Sequence, residues 1–84
     1  MTAINRGDVC ANGAVVIDSK QAWDRSGSIV LCLWVNDTQS QPHIRTSDPY
    51  VTWFARSEEG SIRCSNGHYH DQLSDAVVDF NSRI

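Results

Sequence analysis

One cysteine and two histidines are the first residues whose spacing could support chemistry. Cys64, His68 and His70 form the pattern Cys-x3-His-x-His, and histidines two positions apart on a strand point to the same side of it. Thiolate and imidazole groups are common zinc ligands, but a structural zinc site needs four of them, and the fourth would have to come from a distant part of the chain. We therefore interpret these as surface histidines at a strand-to-helix junction and expect no metal and no cofactor.

Catalysis could be built from a histidine beside a carboxylate, or from a cysteine nucleophile near a histidine. The candidates are His43, His68 and His70 with Asp48 or Asp71, and Cys64. Nothing in their spacing requires such a pairing. A chain of 84 residues also has little volume for a pocket of the usual size, about 300 Å3 or more. We predict that the protein is not an enzyme.

Four aromatic residues could form a platform on which the bases of single-stranded nucleic acid stack. They are Trp34, Tyr50, Trp53 and Phe54. Basic residues flank such platforms, whereas this chain has seven Lys and Arg against ten Asp and Glu, and a net charge of −3. We expect core packing for Trp34 and Phe54, a protein interface for Trp53 if its sheet face is open, and no direct contact with nucleic acid. A small nucleic-acid-binding regulator is the alternative function.

Three aspartates near the C-terminus recur every four residues. On a helix, at about 100° per residue, Asp71, Asp75 and Asp79 would form a stripe roughly opposite the apolar side. A solvated helix face explains such a stripe. The functional interpretation is a row of carboxylates presented to an Arg/Lys-rich surface of a partner. On that interpretation the partner-binding residues are these three aspartates, Val78 beside them, and Trp53 on the sheet.

The elements that would position these residues are strands followed by one helix. Residues 28–35 are apolar on both alternating faces, which predicts a central strand. Residues 50–56 are aromatic and β-branched, which predicts a second strand that returns through a four-residue turn, 57–60, into 61–64. Asn66-Gly67 then bulges or ends this last strand.

The N-terminal third leaves two interpretations open. Asn12-Gly13 between apolar runs predicts a tight hairpin turn, but residues 9–13 could equally be a lead-in to a first strand at 14–19. Either way, residues 14–35 should form a long hairpin. Residues 36–42 contain no apolar side chain and predict a surface loop, followed by a short edge segment at 43–46.

The last segment, residues 71–84, has the periodicity of an amphipathic helix. Its apolar stripe is Leu73, Ala76, Val77, Phe80 and Ile84. Asp71 is the expected N-cap, and Arg83 suits the negative end of the helix dipole. The prediction is one α+β domain, residues 1–84, with an antiparallel sheet of four or five strands at about residues 9–70. The helix 71–84 covers one face of that sheet.

Composition predicts a cytoplasmic protein that does not contact membranes. No segment approaches the ~18 apolar residues of a membrane span, and the N-terminus lacks the apolar core of a signal peptide. Three cysteines, an odd number, do not suggest a disulfide framework. Because one short helix covers only one sheet face, we also expect the other face to be covered in a homodimer, unless residues 1–17 close it.

The C-terminal part of the chain, residues 49–83, resembles small uncharacterised proteins of bacteriophages and mobile elements. These proteins end in an aromatic strand, a short turn, a Gly-x-Tyr-Phe-like strand and a helix of the form Leu-x-x-Ala-x-x-Asp-Phe-x-x-Arg. The matching positions are Gly67, Tyr69, Leu73, Ala76, Asp79, Phe80 and Arg83. The resemblance implies a small inhibitor or adaptor that blocks a host protein or ribonucleoprotein complex, such as a CRISPR effector of antiviral defence.

Overall fold

The computed structural model describes residues 4–22, 26–34 and 48–83, which form four antiparallel strands and a helix. The strands are β1 (Val15–Gln21), β2 (Ser28–Leu33), β3 (Tyr50–Glu58) and β4 (Ser61–His70), and the helix α1 is Leu73–Ser82. Consecutive strands are neighbours in the sheet, in the order β1-β2-β3-β4. The predicted α+β class is confirmed. The predicted loop at 36–42 and edge segment at 43–46 lie outside the described residues, as do Val35 and Ile84.

The turn between β3 and β4 is shorter than the predicted four residues. Both strands extend further, so that Glu58 pairs with Ser61 across a two-residue turn. The turn residues Glu59 and Gly60 both have positive φ, 51° and 80°. That conformation matches the twist of the flanking strands, which is why two-residue hairpin turns adopt it.

Asn66 and Gly67 form a bulge within β4 rather than its end. The pairing with β3 passes from Phe54 opposite Ser65 to Thr52 opposite His68, and Asn66 adopts a φ of 56°. The extra residue shifts the alternation of side chains along β4. Residues of β4 on either side of the bulge that would share a sheet face in a regular strand therefore lie on opposite faces.

The two faces of the sheet bury separate apolar clusters. On the helix face, Ile29 and Leu31 of β2 pack with Ala76 and Phe80 of α1. The inner cluster lies on the opposite face and consists of Ile4, Cys10, Ala14, Val16, Val30, Cys32, Val51, Trp53 and Ala55. This arrangement explains why β2 is apolar on both sides, because each side has its own covering layer.

The layer over the inner cluster is the N-terminal segment, residues 4–14. Gly7 donates a backbone hydrogen bond to Val16 of β1, and Ala11 donates one to Ile62 of β4. The same segment is thus hydrogen-bonded to both edge strands, and it covers this face of the sheet from one edge to the other. The homodimer was expected to cover the sheet face opposite the helix. That face is covered within one chain by residues 4–14, the alternative that the sequence analysis left open for residues 1–17.

The Asn12-Gly13 turn is present, but it does not follow a strand. Gly13 has a φ of 92°, and Cys10 donates a backbone hydrogen bond to Ala14 across the turn. Before the turn, Val9 makes only an isolated bridge to Val15, so the first strand begins at Val15. The interpretation of residues 9–13 as a lead-in to the first strand is therefore confirmed, and the hairpin interpretation is right only about the turn.

The helix begins later and is rotated relative to the prediction. Its N-cap is Gln72, not Asp71, because β4 extends to His70 and Asp71 belongs to the connection. Ala76 and Phe80 are buried, but Leu73 and Val77 are exposed. Asp79, about 60° around the helix from Ala76, turns toward the sheet instead. In the described ranges no helix is long and apolar enough to span a bilayer.

Candidate functional site

The bulge in β4 separates the residues of the Cys-x3-His-x-His pattern. His68 and His70 share the helix face, as predicted, whereas Cys64 pairs with Ala55 and packs against the inner cluster. An odd number of extra residues moves a side chain to the opposite face of a strand. Within the parts of the chain that the structure describes, no three His, Cys, Asp or Glu side chains are arranged to hold a metal ion.

The histidines instead meet an aspartate of the helix. Nδ1 of His68 lies 3.0 Å from both carboxylate oxygens of Asp79, and Nε2 of His70 lies 3.5 Å from one of them. The hydroxyl of Thr52, on β3, donates a hydrogen bond to the same carboxylate. Asp79 is therefore the point at which the helix is tied to two strands.

Arg83 completes this group from the end of the helix. Its guanidinium donates to the backbone carbonyl of Thr52 at 3.0 Å and to the Thr52 hydroxyl oxygen at 3.1 Å. Thr52 is fully buried, so these bonds satisfy the polar atoms that it brings into the core. We call Thr52, His68, His70, Asp79 and Arg83 the Asp79 cluster.

The ionised form of Asp79 is favoured in this environment. Burial alone would raise the pKa of Asp79, but the hydrogen bonds from Thr52 and His68, with the charge of His68, outweigh it and hold the pKa below its usual value. The carboxylate is thus occupied by the protein's own donors. The prediction that Asp79 belongs to a solvent-facing stripe of aspartates is wrong, because its side chain points to the sheet and is only 21% exposed.

A different part of the helix is open to solvent. Leu73 is 42% exposed, Val77 38% and Val78 66%. Ser74 and Asn81 are exposed on the same arc. We call these five residues the helix surface. It carries no charged side chain, and the exposed carboxylates of Asp71 and Asp75 lie along one border.

Two apolar residues of the sheet are also exposed on the helix face. Val15 and Leu33 are paired across β1 and β2, and they are 40% and 37% exposed. Leu33 lies on the helix face because it alternates with Ile29 and Leu31, which pack under α1. Since Asp79 marks the β4 side of the helix, Leu73 and Val77 lie on the side toward β1 and β2.

Trp53 and the proposed aromatic platform are not available to a partner. Trp53 is 4% exposed and packs edge-on against Trp34, with ring centroids 5.3 Å apart. Tyr50 and Phe54 lie on the other face, against the cluster under the helix. Successive aromatic residues of β3 therefore point to opposite sides and share no surface.

Three cysteines that are distant in the sequence meet inside the sheet. Cys10 and Cys32 are buried, and Cys64 is partly exposed. Hydrogen bonds from the thiols of Cys32 and Cys64 lower the pKa of Cys10, whereas the bond to Cys10, together with burial, raises the pKa of Cys32 and of Cys64. We call these residues the thiol cluster. The sequence analysis did not predict the thiol cluster, because its three cysteines are far apart in the sequence.

A cavity of about 490 Å3 lies at one end of the sheet, so the expectation that the domain has little room for a pocket is wrong. Its lining includes Ser19, Lys20, Arg56 and Glu58. Of the residues suggested for catalysis, those that the structure describes do not line this cavity. His43 lies outside the described residues.

Sequence reasoning selected Val78 but missed Leu73 and Val77 as surface residues. The width of the apolar arc on the helix could have indicated them, because Leu73, Val77 and Val78, together with the buried residues, cover more of the helix than one buried stripe. Comparison with protein-family models, with curated proteins and with solved structures gives no match.

Proposed function

We propose that this protein is a small inhibitor or adaptor that binds a partner protein through the helix surface. One observation carries the proposal: a helix of ten residues holds three large apolar side chains exposed to solvent. Isolated apolar residues on a surface are ordinary, but a contiguous apolar area with a polar border is typical of protein interaction sites.

The composition of the helix surface supports a protein partner. Interfaces are depleted of charge at their centre and polar at their rim. Here the uncharged centre is formed by Leu73, Val77 and Val78. Asp71 and Asp75 form one border, and Lys20, whose Nζ donates to the Asn81 carbonyl, lies at the other. The spacing of Leu73 and Val77, four positions apart, suits a helix that lies in an apolar groove of its partner.

The acidic border favours a partner that is basic around that groove. Carboxylates at a rim mainly accelerate association and select against acidic partners, rather than adding affinity. The net charge of the whole chain, −3, has the same sign. We propose a host protein or ribonucleoprotein complex as the partner, with a CRISPR effector first among the candidates, and a phage or mobile-element origin. The site of action is then the host cytoplasm.

The proposal is tested with bacterial strains that each carry one active CRISPR effector and a targeted phage. Expression of the wild-type chain should raise the plaquing efficiency in at least one strain. The double variant Val77→Ser/Val78→Ser should fail to do so, because it removes the apolar centre. Ser57→Asp, at an exposed site near the β3–β4 turn, is the control and should act like the wild type. Equal activity of all three proteins would exclude the helix surface.

The border is tested separately on the partner so identified. Asp71→Asn and Asp75→Asn should slow association and make it less sensitive to salt, since exposed charges are screened beyond about 8 Å at physiological ionic strength. Asp71 can be included because it is not the helix cap. A nucleic-acid-binding regulator, the alternative function, predicts instead that the wild type binds single-stranded nucleic acid with a steep dependence on salt.

A further inference from the structure

The chain contains two Asn-Gly pairs, and the structure holds them in different ways. Asparagine followed by glycine is chemically labile, because the glycine amide nitrogen can reach the asparagine side chain without hindrance from a Cβ atom. Asn12-Gly13 forms the turn in the N-terminal segment, and Asn66-Gly67 forms the bulge in β4. Neither pair belongs to the helix surface, so this reactivity is separate from partner binding.

The first pair is held by hydrogen bonds at the groups that the reaction needs. The Asn12 side-chain oxygen accepts a 3.1 Å bond from the amide of Ala14, which fixes the orientation of the carboxamide. The amide of Gly13, which would be the attacking group, donates a 2.9 Å bond to the carbonyl of Cys10. The Asn12 carbonyl accepts a 3.1 Å bond from Nε1 of Trp34. The turn must therefore open before its nitrogen can attack the side chain.

The second pair has no such restraint on its side chain. Asn66 is exposed, and within residues 4–22, 26–34 and 48–83 no group forms a hydrogen bond with its carboxamide. It lies on β4, an edge strand, at the point where the bulge interrupts the pairing with β3. Exposed edge positions with interrupted pairing open readily, so the Gly67 nitrogen reaches the Asn66 side chain by a local motion.

We infer that Asn66 is the site at which the folded protein deamidates. The Gly67 nitrogen attacks the side-chain carbonyl carbon of Asn66 and loses its proton, the bond to the side-chain nitrogen breaks, and ammonia leaves. The cyclic imide then takes up one water and opens at either carbonyl. Opening at the side-chain carbonyl gives aspartate, and opening at the main-chain carbonyl gives isoaspartate. Either product adds a negative charge to a chain whose net charge is −3.

The two products differ in their effect on β4. Isoaspartate lengthens the backbone by an extra carbon atom next to Gly67, where even a Cβ atom would lie 2.5 Å from Nε1 of Trp53. Aspartate keeps the normal backbone and tolerates the φ of 56° as asparagine does. The isoaspartate form should therefore have a lower urea midpoint than the Asn66→Asp variant, which should resemble the wild type. Equal midpoints would contradict this packing.

The test incubates the purified full-length chain at mildly alkaline pH, folded in one sample and in concentrated urea in another. Peptide mapping by mass spectrometry follows Asn12 and Asn66 in the same molecules. In the folded sample we expect Asn66 to react at least about tenfold faster than Asn12, and in urea we expect similar rates. The matched control is Asn66→Gly, because glycine accommodates the positive φ. This variant should accumulate no acidic form over the same period.

Other results would overturn the inference. Equal or faster reaction at Asn12 in the folded chain, or an acidic form of Asn66→Gly that arises at the wild-type rate, would place the labile site elsewhere. A preference for Asn66 that persists in urea would show that the neighbouring sequence, not the fold, selects it. An intact Asn66 in the folded sample after the urea sample has reacted would show that the bulge protects the pair. The wild-type map decides the question even if the variant fails to fold.

Discussion

The Nδ1 atom of His68 lies 3.0 Å from both carboxylate oxygens of Asp79, which ties the last strand to the helix that follows it. The Thr52 hydroxyl donates to the same carboxylate from β3. Asp79 therefore acts within the fold. A charge substitution at Asp79 therefore lowers the stability of the fold, so a loss of binding in such a variant would not by itself indicate a contact with a partner.

The first prediction follows from that contact. Asp79→Asn should lower the free energy of unfolding by about 1–3 kcal/mol, since it removes charged hydrogen bonds and leaves buried Thr52 poorly paired. Asp75→Asn, at an exposed position of the same helix, is the matched control and should change stability by less than about 0.5 kcal/mol. Urea denaturation measures both. Equal stability of the two variants would mean that the Asp79 cluster does not hold the helix.

The second prediction concerns pH. The pKa of Asp79 is lower in the folded protein than its ordinary value, so the unfolded chain takes up the proton more readily. The stabilisation from this residue is complete above the unfolded pKa, about 3.9, and is lost as the pH falls through the lower folded pKa.

This loss is measured as the difference in unfolding free energy between the wild type and Asp79→Asn. The difference should be largest above about pH 4 and shrink as the pH falls further, through the lower pKa of folded Asp79, because a protonated carboxyl group is uncharged like the amide. A difference that stays constant down to pH 2 would show that the charge of Asp79 contributes nothing. The measurement needs urea titrations of both proteins across the same pH series.

The third prediction concerns the bulge. A Cβ atom at Gly67 would lie 2.5 Å from Nε1 of Trp53, closer than the two atoms can approach. Gly67→Ala should therefore destabilise the protein by about 1–3 kcal/mol, as overpacking does in a filled core. Ser65→Ala, at an exposed position of β4, is the control and should be nearly neutral. Thermal unfolding monitored by tryptophan fluorescence checks both, and an unchanged Gly67→Ala variant would contradict this packing.

The fourth prediction concerns the helix anchor. Phe80 is 6% exposed and packs with Ile29 and Leu31, so Phe80→Ala should cost about 3–5 kcal/mol, a large part of the stability of so small a domain. Val78→Ala on the outside of the helix should leave the urea midpoint nearly unchanged. Circular dichroism during denaturation distinguishes the two. Similar losses in both variants would indicate a different helix orientation.

Local sequence signals predicted the elements well but not the sides that they present. The strand at β2, the hairpin of β3 and β4, and the C-terminal helix follow from apolar runs, turn residues and periodicity that depend on neighbouring residues. The bulge at Asn66-Gly67 does not follow from these local signals, because an Asn-Gly pair is equally consistent with a bulge and with the end of a strand. That single choice decides whether His68 and His70 lie on the same sheet face as Cys64 or on the opposite one.

The rotation of the helix was unpredictable for a related reason. Apolar periodicity placed the buried stripe through Leu73 and Val77, but the buried side is set by what the sheet offers. Thr52 and His68 offer polar groups, and Asp79 satisfies them. The thiol cluster likewise depends on the N-terminal segment crossing the inner face, which no local pattern in the sequence indicates.

The most direct test of the central claim is the affinity of the purified protein for the effector that it inhibits in the plaquing experiment. The helix surface predicts that Val77→Ser/Val78→Ser raises Kd by about 30-fold or more, equivalent to about 2 kcal/mol, with a urea midpoint close to that of the wild type. Ser57→Asp should bind like the wild type. An unchanged Kd for a correctly folded double variant would contradict the claim that this protein acts through its helix surface.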